Sequence, residues 1–498
     1  MMNQDQVKTA CDVAVIGAGI GGLTAAALLA KKGLDVAVFE HHTIPGGSVT
    51  AFKRKGYLFD AGATMFYGFG REIGMDYQTR VMDELGLSLE MIEMPTHYTL
   101  ATPDHRFTVW KDKERYLEQL CRAFPADAAG IRSFYEEMGD IYKAVVKSPL
   151  RPLEFSPGLL IDFLKNVGGL TMLLRYSRKT TLDVMKKHVN NPRIKQIFDF
   201  ESLAFSYLDS SECPAVLTSI ILHDRHVGGV RYPKGGSQKL PDKLVEGLEK
   251  FGGRIHYKQK VEKILVQGGR ACGVKLRDGT EVSAKYVVSN AQALDTFNYL
   301  VEKGAQSRKL RDRVDSLKIT DSFFGVFMGV DASAIPKGGD YFDANFIMIP
   351  NYESDWRKAL PALVATPSIH DPTVAPAGKH AMHVISAEPY NGWKRDEKYA
   401  EKKAKKAEEL KKIAERVMPG LKNAIEYECT ASPLTYERYL LRNKGTYGPK
   451  MTMDQALFNR MKNRTEIKNL FLVGDSSFPG QGVVAVTANG YMCAQLIG

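Results

Sequence analysis

Six cysteines in 498 residues, none of them in a C-x-x-C pair, leave this chain without a disulfide framework or a thiolate zinc site and suit a reducing compartment. Long apolar runs are missing too. None reaches the roughly 18 to 20 uncharged residues that a spanning helix needs. The nearest approach, "FSPGLLIDFLKNVGGLTMLLRYSRK" at 155–179, carries Asp162 and Lys165 inside it. Such a segment can lie on a bilayer but not cross one. The opening "MMNQDQVKTA" has neither the features of a secretory leader nor the Arg/Ser bias of a transit peptide, so a cytoplasmic chain is expected. There is no Ser/His/Asp elbow, H-E-x-x-H or Walker loop, and His41, His42, His370, His380 and His383 have no partner at ligand spacing. No metal site is therefore expected, and the chemistry is assigned to an organic cofactor against which the protein positions a substrate.

What is present is ample apolar material, 44% of the residues, enough for the cores of two or three domains. The formal charge of +11 is compatible with nucleic acid, an anionic membrane surface, or a merely soluble basic surface. The Lys/Glu-dense run 394–416 reads as a solvated helix whose buried stripe is Ala407, Leu410, Ala414 and Val417. Nothing around it interleaves aromatics as a nucleic-acid module does, and no nucleic-acid role is assigned.

"CDVAVIGAGIGGLTAAALLAKKGLDVAVFE", residues 11–40, forms one βαβ unit: an apolar strand from Val13 to Ile16, a glycine turn, a small-residue helix and a strand from Val36 to Phe39. Gly17 permits the tight turn, Gly19 admits backbone approach to a pyrophosphate, and Gly22 allows close helix–strand packing. The helix N-terminus at Ile20 offers free N–H groups to phosphate. Glu40, closing the second strand, is placed to accept from ribose hydroxyls. The "PGGS" that follows, with Gly46, Gly47 and Ser48, favours FAD over NAD. In "GYLFDAGATMFYGFG", 56–70, Asp60 and glycines among aromatics read either as an irregular core segment or as a loop beside a flavin or its substrate.

Further along, 254–290 shows three short strands with turns at Gly268-Gly269 and Asp278-Gly279; Val261 occupies the place from which such folds contact adenine through backbone. Before it, Gly235-Gly236 leads into an amphipathic helix carrying Leu240, Leu244, Val245 and Leu248, with Arg231, Tyr232 and Lys234 either facing a cavity or solvated. The 75–225 region reads as mainly helical. "SFFGVFMGV", 322–330, reads as a strand apolar on both faces, buried or walling a greasy cavity.

Together with "YPKGG" at 232–236, "SIHDPTVAPAGKH" at 368–380, "SPLTYERYLLRNKGTYGP" at 432–449 and "LFLVGDSSFPGQGV" at 470–483, the chain resembles the phytoene desaturase, carotenoid isomerase and retinol saturase family of FAD-dependent polyene oxidoreductases over nearly its whole length. "GTYGP", "TMFYGFG" and "GDSSFPGQGV" are most similar to the carotenoid (prolycopene) isomerase branch. The resemblance implies an α/β, Rossmann-like FAD-binding (two-dinucleotide-binding) domain from 10–75, 226–292 and 465–498, with an inserted α+β substrate-binding and membrane-docking domain from 76–225 and 293–464. It implies that Gly474 and Asp475 reach the flavin ribityl chain and that N–H groups near Gly482 and Val483 face the isoalloxazine ring. It also implies isomerisation of poly-cis-lycopene to the all-trans form with reduced FAD. A desaturase or saturase is the alternative, and a non-catalytic prenyl-lipid chaperone like the GDP dissociation inhibitors is a third reading. Asp60, Arg231, Tyr232, Lys234 and Glu437 are the polar candidates for steering a proton. A long polyene resides in the bilayer, so peripheral membrane attachment through 155–187 is expected; the oligomeric state is left open.

Overall fold

The computed structural model describes residues 8–71, 75–147, 167–336, 343–353, 355, 358 and 360–498. Two seven-stranded sheets organise them. The first begins with Ala10–Ile16, an apolar strand whose last four residues are fully buried, as a strand covered on both faces must be. It runs parallel to Val36–Phe39 on one side and to Glu281–Ser289 on the other. Arg254–His256 adds beyond Val36–Phe39, and Leu470–Leu472 pairs parallel with the end of Glu281–Ser289. Val261–Gln267 and Arg270–Leu276 extend the edge as an antiparallel meander turned by Gly268, Gly269 and Gly279, all at positive φ. The last strand of the chain thus lies one strand away from the first.

The second sheet is ordered Ile425–Ala431, Ser322–Asp331, Lys379–Glu388, Ala362–Ala365, Asn345–Met348, Thr96–Ala101, Arg106–Trp110. Its long strand Ser322–Asp331 is apolar on both faces for the reason period-two alternation gives. Phe324, Val326, Met328 and Val330 pack towards Leu410 and Ala414 of the lysine-rich helix Tyr399–Ala414, while Phe323 and Phe327 face Tyr57, Phe59 and Tyr436.

The mainly helical reading of 75–225 holds among the described residues, with a hairpin that it did not include. Helices such as Ala128–Lys147, Pro192–Ser206 and Ala215–Gly228 do fill most of it, but Thr96–Ala101 and Arg106–Trp110 form a hairpin. All six residues of Thr96–Ala101 are buried, because the strand pairs in parallel with Asn345–Met348. That distant partner decides its conformation.

The helices Ile20–Lys31 and Val483–Leu496 press together through small residues. A Cβ placed on Gly490 would lie 2.4 Å from the Gly21 carbonyl oxygen and 2.9 Å from Thr24 Cβ. Gly490→Val is therefore expected to destabilise the protein by about 1–3 kcal/mol through overpacking, read as a lower thermal unfolding onset. Gly168→Ala, where an added Cβ meets nothing within 4 Å, is the control and should leave the onset in place.

Candidate functional site

After Ile16 the chain turns at Gly17 (φ +90°), and Gly19 is the N-cap of Ile20–Lys31 without any side-chain cap or acidic residue in the first turn. The first N–H groups of that helix are thus offered outward with the positive end of its dipole. Asn290, at the end of the central strand, donates its backbone N–H to the Ile16 carbonyl and fills the space beneath the turn. A Cβ on Gly19 would lie 2.5 Å from Asn290 Nδ2, and one on Gly22 would lie 2.5 Å from the Gly17 carbonyl oxygen. Gly22 therefore excludes a side chain by backbone contact, while a side chain at Gly19 would have to displace the Asn290 amide.

Glu40 does more than face the cavity. Its Oε2 accepts from Ala18 N at 2.7 Å and its Oε1 from His42 N at 2.8 Å, with His41 Nδ1 also at 2.8 Å. Burial opposes its ionisation, but the bonds from His41, His42 and Ala18 outweigh it and hold the carboxyl below its usual range. Gly46 (φ +118°) donates its N–H to the Ala18 carbonyl and, with Gly47 and Ser48, forms the opposite wall.

The end of the chain supplies the other half. Gly474 (φ +92°) follows the last strand, and its N–H is received by Asn489 Oδ1 at 2.9 Å. Asp475, 5% exposed, accepts from Gly448 N at 3.0 Å and from Arg442 Nη1, both through Oδ2. Buried Arg460 holds the Asp475 carbonyl together with those of Pro449 and Lys450, tying the 446–450 loop to the 474–482 loop. Gly482 (φ +101°) is the N-cap of Val483–Leu496, again with no side-chain cap and no acidic first turn. Two uncapped helix N-termini thus border one space.

That space is a cavity of about 1470 Å³, larger than the roughly 300–1000 Å³ of a drug-sized site. Gly17, Gly19, Ile20, Glu40, Gly46, Gly47, Ser48, Val261, Gly474, Asp475, Gly482 and Val483 all line it; Gly22 lies behind the turn. Its other compartment is aromatic and aliphatic. Tyr207, Phe323 and Tyr447 stand with ring centroids 5.1 to 5.3 Å apart, Tyr436 lies 6.0 Å from Phe323, and Phe205, Ile347 and Leu363 continue the wall. Ionisable groups also line the cavity, among them Lys53, Arg54, Asp295, Glu437 and Arg442. Glu437 lines the cavity and accepts from Tyr390 Oη at 2.8 Å, and Asp295 is pushed up to about 6 by burial.

Four of the five polar candidates lie outside the cavity. Asp60 is buried behind it, where Oδ2 accepts from Tyr232 Oη at 2.7 Å and Oδ1 from Ser237 N at 2.8 Å; burial raises its carboxyl above the usual range. Tyr232 is consumed by that bond. Lys234 points to Glu90 at 2.7 Å on the surface, and Arg231 approaches Glu93 at 3.8 Å. The Asp60 bonds staple 57–60 to 231–237, and the two ion pairs tie 231–234 to 90–93. Tyr67, Arg442 and Tyr447, which do line it, lie inside the motifs "TMFYGFG" and "SPLTYERYLLRNKGTYGP" without having been singled out, and Tyr207 lies in no motif. Among the described residues no group of three His, Cys, Asp or Glu could hold a metal ion.

A family model described as flavin containing amine oxidoreductase matches residues 20–498. The chain belongs to that family. Among curated proteins it is 35% identical to prolycopene isomerase 1, chloroplastic, of an Oncidium hybrid cultivar, covering 98% of this chain and 83% of that protein. It is 32% identical to prolycopene isomerase, chloroplastic, of Arabidopsis thaliana, covering 99% and 84%. It is 28% identical to phytoene desaturase (neurosporene-forming) of Rhodobacter capsulatus, covering 97% and 93%. Among solved structures, an oxidoreductase from Methanosarcina mazei matches with TM-score 0.65 at 19% identity, covering 97% of this chain and 100% of that one. Putrescine oxidase matches with TM-score 0.65 at 15% identity, covering 98% and 99%, which speaks to fold alone.

Membership in this family implies an FAD site, and the cavity fits one. Its floor is glycine backbone, its two helix N-termini suit a diphosphate and an electron-rich ring edge, and Thr64 Oγ1 and Gln292 Oε1 are buried on its wall without partners among the described residues. Buried polar atoms are ordinarily bonded, so a ligand is the natural partner. Asp475→Ala is expected to weaken FAD retention about 10- to 100-fold, the size of a lost charge-assisted bond. A variant purifying with full flavin would show that the ribityl chain does not use this carboxylate.

Proposed function

We propose that the protein is an FAD-dependent carotenoid isomerase, converting poly-cis-lycopene to the all-trans form with the flavin reduced. The observation that carries this reading is one cavity joining a glycine-backbone cradle to an aromatic and aliphatic compartment. The near full-length likeness to prolycopene isomerases supports the choice of substrate.

When bound in reduced form, FAD supplies the electron-rich ring beside which a cis double bond is rearranged with no net gain or loss of hydrogen. The chain's own residues do the rest. Phe323, Tyr207, Tyr436 and Tyr447 pack the polyene and present ring faces that favour transient positive charge on it. The apolar walls exclude water that would quench such a species. Glu437, whose Oε2 accepts from Tyr390 Oη, is the cavity-lining carboxylate to which we assign proton steering.

The second reading is a desaturase or saturase, favoured by the likeness to phytoene desaturase and, at 27% identity, to all-trans-retinol 13,14-reductase of Danio rerio. The glycine cradle argues against a flavin-free prenyl-lipid chaperone. Anaerobic incubation of photoreduced enzyme with poly-cis-lycopene separates the two enzymes. An all-trans product of unchanged mass is expected; a product differing by two hydrogens would overturn the isomerase reading.

A substrate of this kind is drawn from a membrane, and we assign the docking face to the 167–187 region. No helix among the described residues is long and apolar enough to cross a bilayer. The helix Val167–Tyr176 exposes Val167 and Leu174, 58% and 59% accessible, with Arg175, Arg178 and Lys179 at or just beyond its end. Residues 155–166 of the expected docking segment lie outside the described residues. Each basic residue near an anionic surface contributes about 1 kcal/mol. Reversing Arg175, Arg178 and Lys179 to Glu should therefore abolish flotation with anionic liposomes, and unchanged flotation would refute this docking face.

A further inference from the structure

The FAD diphosphate brings two negative charges into the cavity, and helix N-termini alone contribute only partial positive charge. Of the cationic side chains that line the space, Lys53 and Arg54 are exposed at the end of the strand Ala51–Arg54, Lys260 precedes the strand Val261–Gln267, and Lys263 Nζ donates to the Tyr299 carbonyl. Arg442 is placed differently. It follows the helix Pro433–Leu440, where Leu441 adopts a left-handed conformation (φ +49°) that a side-chain-bearing residue takes only at a cost, and the turn directs the Arg442 side chain inward.

Arg442 Nη1 makes both of its bonds, to Asp475 Oδ2 and to the Thr446 carbonyl at 3.0 Å. Nε and Nη2 donate to none of the described residues, although the side chain is only 18% exposed and lines the cavity. Asp475 follows Gly474, whose N lies 3.0 Å from where a Gly21 Cβ would be, in the first turn of Ile20–Lys31. Asp475, which Nη1 holds, thus belongs to the turn that meets the first turn of that helix, and the unused edge of the guanidinium lies in the cavity that both border.

We propose that Arg442 is the diphosphate-binding cation of the cofactor site, with Nη1 kept on Asp475 and Nε and Nη2 given to phosphate oxygens. The planar fork of arginine can serve a carboxylate and a second anion in fixed geometry, where a lysine offers only a compact point charge. The inference rests on the flavin reading of the cavity and adds to it a residue that no glycine fingerprint contains.

The test compares FAD and riboflavin, which lacks the phosphates, on deflavinated full-length protein, for the unaltered chain, Arg442→Gln and Arg442→Lys. Arg442→Gln is expected to weaken FAD binding about 10- to 100-fold and to flatten its salt dependence, while riboflavin affinity stays within about twofold. Arg442→Lys should recover part of the FAD affinity. Equal loss of FAD and riboflavin would mean that Arg442 only supports Asp475, and unaltered FAD binding in Arg442→Gln would remove it from the site; either result overturns the proposal. Failure of the unaltered chain to bind FAD would instead overturn the flavin reading itself.

Discussion

One buried side chain, Asn489, holds the end of the chain in the shape on which the cavity depends. Its Oδ1 accepts from Gly474 N and from Ser477 Oγ at 3.2 Å, its Nδ2 donates to the Phe478 carbonyl, and its own carbonyl accepts from Asn463 Nδ2. It belongs to a helix that lies on Ile20–Lys31 with backbone nearly touching backbone at Gly490 and Gly21. A buried amide leaves no slack, since any unmade bond costs its full desolvation. Segments more than 450 residues apart are thereby locked to each other, and Asn290 fills the remaining space between Gly19, Gly21 and Gly474.

From that junction the two sheets take different tasks. The mostly parallel sheet brings the glycine turn, Glu40 and Gly474 to its strand ends, where an open α/β sheet places ligands. The second sheet offers the cavity Phe323 and Phe327 from one long strand and Ile385 from its neighbour, with the opposite face buried on the lysine-rich helix. A glycine-lined cofactor end and an aromatic substrate end thus share one space.

Much of this was legible in the residues because it is local. The strand, turn and helix of 10–40, the meander with its glycine turns, and the last strand and helix are each written in short-range pattern and appear within a few residues of their expected bounds. The lysine-rich helix starts later, at Tyr399, yet buries Ala407, Leu410 and Ala414 as its spacing indicated. What was not legible depends on distant partners. Thr96–Ala101 is a strand because Asn345–Met348 runs beside it, although the alternation in "THYTLATPDHRFTVW" was a signal. Asp60 and Tyr232 looked like free polar groups in family motifs, but their partners are each other and Ser237. Arg442 lies within the motif at 432–449, but its inward turn comes from the backbone at Leu441, which the motif does not reveal.

The central claim is that both ends of the chain close around one flavin. Hydrogen exchange of the deflavinated full-length protein, with and without FAD, tests it most directly. The account predicts that FAD slows exchange together in the first turn of Ile20–Lys31, around Gly46 to Ser48, and from Gly474 through the first turn of Val483–Leu496. Protection confined to one end of the chain, or centred elsewhere, would contradict it.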